Sequence, residues 1–158
     1  LELGAGPKKI AGALAELKAL SVGARPDTLI LGSDQVLEQE DGSILSKAGS
    51  RQEAAAQLTG LQGRTHRLHS AAVLAAEEAV VWRATETVTL RMRRFGPGFL
   101  DRYLAREYDA VRFNVGAYRI EGMGVQLFER IEGSHFAILG MPLIPLLGEL
   151  RRRAILAS

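Results

Sequence analysis

The sequence predicts an α/β fold, a mixed sheet flanked by helices, on three observations. Apolar residues recur at helical spacing between Pro7 and Leu20. The short apolar run Leu29-Ile30-Leu31 delivers the polar cluster Gly32-Ser33-Asp34-Gln35. Two segments rich in Val, Leu and Thr, Arg64–Ala75 and Val80–Met92, flank the acidic pair Glu77-Glu78 and read as a hairpin. At 158 residues the chain has the length of one ordinary core, and no shift in composition marks a boundary, so a single domain over residues 1–158 is expected.

Taken in order, the first helix places Ile10, Leu14, Leu17 and Ser21 on one face at ~100° per residue, with Lys18 on its flank and Lys8, Lys9 and Glu16 turned away. The strand from Thr28 to Leu37 meets an Asp41-Gly42 tight-turn pair, and Ile44-Leu45 begins the returning strand that brings Lys47 back toward Asp34. Ser50-Arg51-Gln52-Glu53 is a capping box, and the helix it opens turns Ala54, Leu58 and Leu61 inward. After the β-hairpin, Gly96-Pro97-Gly98 precedes a helix using Phe99, Leu100, Tyr103 and Leu104, followed by a second short helical piece from Tyr108 to Phe113. Asn114–Gly124 is a loop punctuated by glycines, Val125–Ile131 reads as a strand, and Gly140-Met141-Pro142 starts a last helix with Leu143, Leu146, Leu147 and Leu150 inward.

Composition narrows the function classes. No run of ~18 apolar residues is present to span a bilayer, so no membrane role is expected. The absence of cysteine excludes a disulfide framework, a thiolate zinc site and a cysteine nucleophile, and a reducing cytoplasm is the expected location. The net charge of +2 is more than supplied by Arg151-Arg152-Arg153, a run suited to a helix C-terminus. With few aromatics and no basic stripe, nucleic acid is not an expected partner. Phosphate-loop, dinucleotide and serine-elbow motifs are all missing, and His66, His69 and His135 do not form a metal box.

What remains is a set of carboxylates and cations on loops and strand ends: Asp34, Glu121, Lys18, Lys47 and Arg64. By residue type alone each has two readings. Asp34 either satisfies backbone amides in a turn or presents a carboxylate at a site, and Lys18 either covers the core edge with its stem or contacts phosphate. Lys47 is either a surface ion pair or a phosphate ligand.

Several separated motifs then resemble one family. Gly-Ser-Asp-Gln-Val at 32–36, Leu-Ser-Lys at 45–47, Gly-Arg-Thr-His-Arg at 63–67, Gly-Ala-Tyr-Arg-Ile-Glu-Gly at 116–122, Leu-Phe-Glu-Arg-Ile-Glu-Gly at 127–133 and Leu-Gly-Met-Pro-Leu at 139–143 resemble the Maf family in order and spacing. The resemblance implies the elongated mixed sheet, flanked by helices, of the Maf and inosine triphosphate pyrophosphatase type. It further implies a nucleoside triphosphate pyrophosphatase that needs a divalent metal, Mg²⁺ or Mn²⁺, and forms a homodimer. By the same resemblance Asp34 is the proton acceptor or the metal ligand, while Lys18, Lys47 and Arg64 bind substrate. Gln35 and Glu121 resemble the 7-methyl-GTP branch, where members acting on dTTP and UTP carry Thr and Gln. A carboxylate at 121 has a physical rationale, since it accepts two adjacent N–H groups of a guanine edge and favours a ring made cationic by methylation. A dTTP/UTP pyrophosphatase is one alternative, and links of the family to septum formation make a non-catalytic nucleotide-binding regulator of cell division the other. The family's opening strand, its Ser-x-Ser-x-x-Arg turn and its Val-Asp-Glu segment have no counterpart, so the expectation is a domain lacking its first strand and helix, and Ser46-Lys47-Ala48 replaces the usual Gly-Lys-Pro.

Overall fold

A computed structural model describes residues 6–157. In chain order its elements are α1 (Pro7–Leu20), β1 (Ile30–Glu38), β2 (Ile44–Leu45), α2 (Arg51–Leu61), β3 (Thr65–Ala76), β4 (Ala79–Met92), α3 (Pro97–Val111), β5 (Phe128–Glu132), α4 (His135–Ile138) and α5 (Leu143–Arg152). The strands form one five-stranded sheet in the order β2-β1-β3-β4-β5, with β1/β2 and β4/β5 antiparallel, so the predicted α/β class is observed. The chain divides into two compact units. One holds the residues up to Val36, His69–Thr87 and those from Ser134 onward; the other holds Leu37–Leu68 and Val88–Gly133.

In the first unit, α1 turns Ala11, Ala15 and Ala19 inward against Ile30, Val36, Ala71, Val73 and Ala75, with Ile10 and Leu14 at the margin. The predicted face through Leu17 is therefore rotated, and Leu17 is 60% exposed. The cause is close approach. A Cβ on Gly32 would stand 2.2 Å from the Ala15 carbonyl oxygen and 2.6 Å from the Ala19 nitrogen, so only small residues fit between helix and strand. The hairpin turn between β3 and β4 is the two residues Glu77 and Glu78, both at positive φ (48° and 63°), as a turn matched to strand twist requires. On α5, Leu146 and Glu149 are buried. Arg152 and Arg153 both pair with Glu149, and the hydrogen bond from Arg152 above all holds its carboxyl down at about 2. Two of the three tail arginines are thus engaged within their own helix end.

In the second unit the capping box forms with a small variation. Ser50 Oγ accepts from the Glu53 N–H at 3.1 Å, and the Glu53 carboxylate accepts from the N–H of Gly49, one residue before the cap, at 2.6 Å. The helix it opens buries Ala54, Leu58 and Leu61 as expected. Two expectations are corrected. Helix α3 runs unbroken to Val111, because Leu100, Tyr103, Leu104, Glu107 and Val111 keep helical spacing on one buried face, with the carboxylate of Glu107 occupying a core position. The last strand begins at Phe128, since Met123–Leu127 is a 3₁₀ turn.

His66 is also buried in this unit, with Nε2 2.8 Å from the Tyr118 hydroxyl and Nδ1 without a hydrogen-bond partner among the described residues. Burial lowers its pKa from 6.5 to about 4, because an imidazolium there would be desolvated and unpaired. The unfolded chain therefore binds a proton that the folded chain refuses between these values. The stability that burying His66 neutral contributes is complete above about pH 6.5 and falls by about 3 kcal/mol as the pH drops toward 4. Urea unfolding of wild type and His66→Gln at pH 7 and pH 4.5 checks this: the variant should lose less stability on acidification, and identical losses would contradict it.

Candidate active site

The site is best built from β1. In a strand successive side chains alternate faces, so Gly32, Asp34 and Val36 share the face on which α1 lies, and Gln35 takes the other. On the α1 face, Lys18 reaches across the edge of its helix. Its Nζ donates to the Ser33 carbonyl at 3.0 Å and stands 3.3 Å from Asp34 Oδ1. The same oxygen accepts from the N–H of Gln35 at 2.8 Å, which fixes the carboxylate in its rotamer. Lys18 is thus neither a plain stem over the core nor remote from the acid.

On the opposite face Gln35 is engaged differently. Its amide nitrogen donates to Ser70 Oγ at 2.9 Å and to the carbonyls of Ala137 and Ile138 at 2.9 and 3.0 Å, and Ser70 Oγ itself donates to Ala137 at 2.5 Å. The side chain ties β1 to α4, and only its oxygen is left to meet anything further. Ser70 was not singled out in the sequence; a hydroxyl inside the buried run 68–75 of β3 was the available signal.

Lys47, Arg64 and Glu121 belong to the second unit, where all three are exposed and no hydrogen bond or ion pair joins them to one another. Lys47 follows β2 on a loop pinned on both sides. Gln57 donates to the Ser46 carbonyl at 2.9 Å, Ala48 is buried, and Gly49 is held by Glu53. The amine has no carboxylate partner among the described residues. Arg64 lines a cavity of about 500 Å³ with Thr59, Gly60, Gln62, Gly63, Arg94 and Phe95. Glu121 sits on the glycine-punctuated loop, two residues from Arg119, whose guanidinium pairs with the buried Glu107 at 2.9 Å. The Glu107–Arg119 pair escaped the sequence reading, although a Glu at the buried spacing of α3 was visible.

No group of three or more metal-ligating side chains occurs among the described residues. A divalent ion that keeps its waters and uses substrate phosphates needs only one or two protein carboxylates, and Asp34 Oδ2, which makes no hydrogen bond among the described residues, offers one. The donor set fits that mode of binding and no all-protein cage.

Fold and site define a class: an α/β sheet protein that carries a carboxylate–amine pair on one face of a strand. The chain belongs to the Maf family, since the family model described as Maf-like protein matches residues 2–153. It is 47% identical over 145 residues to the nucleoside triphosphate pyrophosphatase of Caulobacter vibrioides, covering 92% of this chain and 72% of that protein. It is 48% identical over 154 residues to the protein of the same name from Granulibacter bethesdensis, covering 97% and 78%. It is 46% identical over 149 residues to the 7-methyl-GTP pyrophosphatase of Mesorhizobium japonicum, covering 94% and 74%. No helix among the described residues is long and apolar enough to cross a membrane.

Proposed function

We propose that this chain is a nucleoside triphosphate pyrophosphatase that prefers 7-methyl-GTP. The enzyme class rests on the family and on relatives bearing that name across more than nine-tenths of the chain. The observation that carries the chemistry is the carboxylate of Asp34, fixed by the Gln35 N–H with the Lys18 amine 3.3 Å away. In this reading a water oxygen bonds to the α-phosphorus, the bond from that phosphorus to the bridging oxygen breaks, and pyrophosphate leaves with the electron pair. Asp34 takes the water's proton, and Lys18, Lys47 and Arg64 neutralise phosphate oxygens as negative charge moves onto the leaving group. A divalent ion held by Asp34 would supply Lewis-acid stabilisation of those oxygens.

The preference for the methylated purine rests on Glu121 and on relatives named for it. A carboxylate accepts from both N–H groups of a guanine edge and is attracted by the ring's positive charge, whereas uracil and thymine present a carbonyl beside a single N–H. Gln35 acts through its remaining oxygen or through the α4 segment that it holds. Pyrophosphate release from 7-methyl-GTP, GTP, dTTP and UTP at equal concentration tests the reading. The methylated purine should be turned over about tenfold or more faster than either pyrimidine, a difference of about 1.4 kcal/mol in transition-state binding. Equal or faster turnover of the pyrimidines would overturn the preference and leave only the general activity.

A further inference from the structure

We propose that Arg119, clamped by Glu107, is the positioning residue that sets Glu121 for base recognition, and that the pair thereby controls selectivity for a cationic purine. This rests on the reading that Glu121 meets the base.

Glu107 is 9% exposed, on the inner face of α3, and its one ion-pair partner among the described residues is Arg119, with Nε at 2.9 Å. A buried carboxylate left alone carries a large desolvation cost, so the ion pair fixes where the guanidinium lies. The chain that follows is moulded onto that pair. A Cβ on Gly122 would stand 2.8 Å from both Arg119 Nε and Glu107 Oε2, and a Cβ on Gly124 would stand 2.2 Å from the Arg119 carbonyl oxygen. Glycine at both positions lets the backbone fold back over Arg119, and Glu121 hangs from this return.

The other end of the segment is equally held. Tyr118 is buried, its hydroxyl is 2.8 Å from His66 Nε2, and Asn114 donates to its carbonyl at 3.2 Å. Glu121 is therefore an exposed carboxylate on a backbone with little freedom, which lowers the ordering cost of a bidentate contact. The charges add a second effect. The hydrogen bond to Glu107, and further down the field of Glu121, raise the Arg119 pKa, so the cation senses both carboxylates. One guanidinium and two carboxylates leave a net charge of −1, suited to a cationic ring; without Arg119 the buried Glu107 is unpaired and the loop loses its anchor.

The test compares full-length wild type with Arg119→Met, Arg119→Lys, Glu107→Gln and Glu121→Gln. It measures kcat and KM for 7-methyl-GTP and for GTP, with the melting temperature of each variant. Arg119→Met should raise KM for 7-methyl-GTP about tenfold, with a smaller change in kcat and a smaller rise for GTP, and Arg119→Lys should recover most of the loss. Glu107→Gln keeps an acceptor oxygen for Arg119 but not the charge, and should shift the same ratio about threefold in a folded protein, so the proposal stays testable if Arg119→Met does not fold. Equal loss for both substrates, tracking the melting temperature, would mean a structural role only and would overturn it. If Glu121→Gln alters the ratio while Arg119→Met and Glu107→Gln do not, this inference alone fails. If Glu121→Gln leaves the ratio unchanged, the underlying reading of Glu121 fails with it.

Discussion

Asp34→Asn should lower the rate of pyrophosphate release by about 10²–10⁴-fold, the usual worth of a positioned general base. The substitution keeps the side chain's shape and an oxygen that can accept from the Gln35 N–H, so the bond that fixes the rotamer survives. What it removes is the capacity to take a proton and the charge facing Lys18 at 3.3 Å. That ion pair joins a lysine side chain 58% exposed to a carboxylate 22% exposed, so its loss should cost no more than about 1 kcal/mol of stability. Rate and stability are therefore expected to separate: a nearly unchanged unfolding midpoint with catalysis largely gone, and nucleotide binding retained. A regulator that binds nucleotide without turnover predicts another pattern, in which the wild type binds and does not hydrolyse and the variant keeps its effect.

Gly32→Ala should be the most damaging single methyl group in the first unit. The added carbon would lie 2.2 Å from the Ala15 carbonyl oxygen, 2.6 Å from the Ala19 nitrogen and 2.8 Å from the Ala19 Cβ. Two of these are backbone atoms of α1, which no side-chain rotation can move, so the helix must shift away from the strand. Overpacking of this kind costs about 2–4 kcal/mol, read as a lower midpoint in urea with an unchanged slope. Because Lys18 rides on the same helix and Asp34 lies two residues beyond Gly32, the folded fraction should also lose activity. A loss below about 0.5 kcal/mol would show that helix and strand are not in the contact described.

How far the sequence reached can be judged on particular helices. The inward face of α2 was legible because a capping box fixes where the helix starts, and Ala54, Leu58 and Leu61 follow at the right spacing. The face of α1 was misjudged because hydropathy favours Ile10, Leu14 and Leu17, while close packing against β1 selects Ala11, Ala15 and Ala19. Gly32 in mid-strand was the available warning. In α3 the charge of Glu107 concealed its buried position, and with it the anchor of the Glu121 loop. Among the candidate residues, the meeting of Lys18 with Asp34 was only half legible: the helical wheel puts the amine on the flank, and the strand it reaches is a tertiary fact. Adjacent numbering likewise made Asp34 and Gln35 partners, whereas the pleat sends them to opposite faces, one to Lys18 and the other to Ser70 and α4.

In the proposed mechanism Asp34 activates water for attack at the α-phosphorus. Turnover of 7-methyl-GTP in ¹⁸O-enriched water, followed by mass analysis of the products of wild type and Asp34→Asn, tests it most directly. Pyrophosphate free of the label and one ¹⁸O in the nucleoside monophosphate are expected, with the variant giving the same products at a small fraction of the rate. Label in pyrophosphate, release of orthophosphate with a diphosphate left behind, or an undiminished rate in the variant would contradict it.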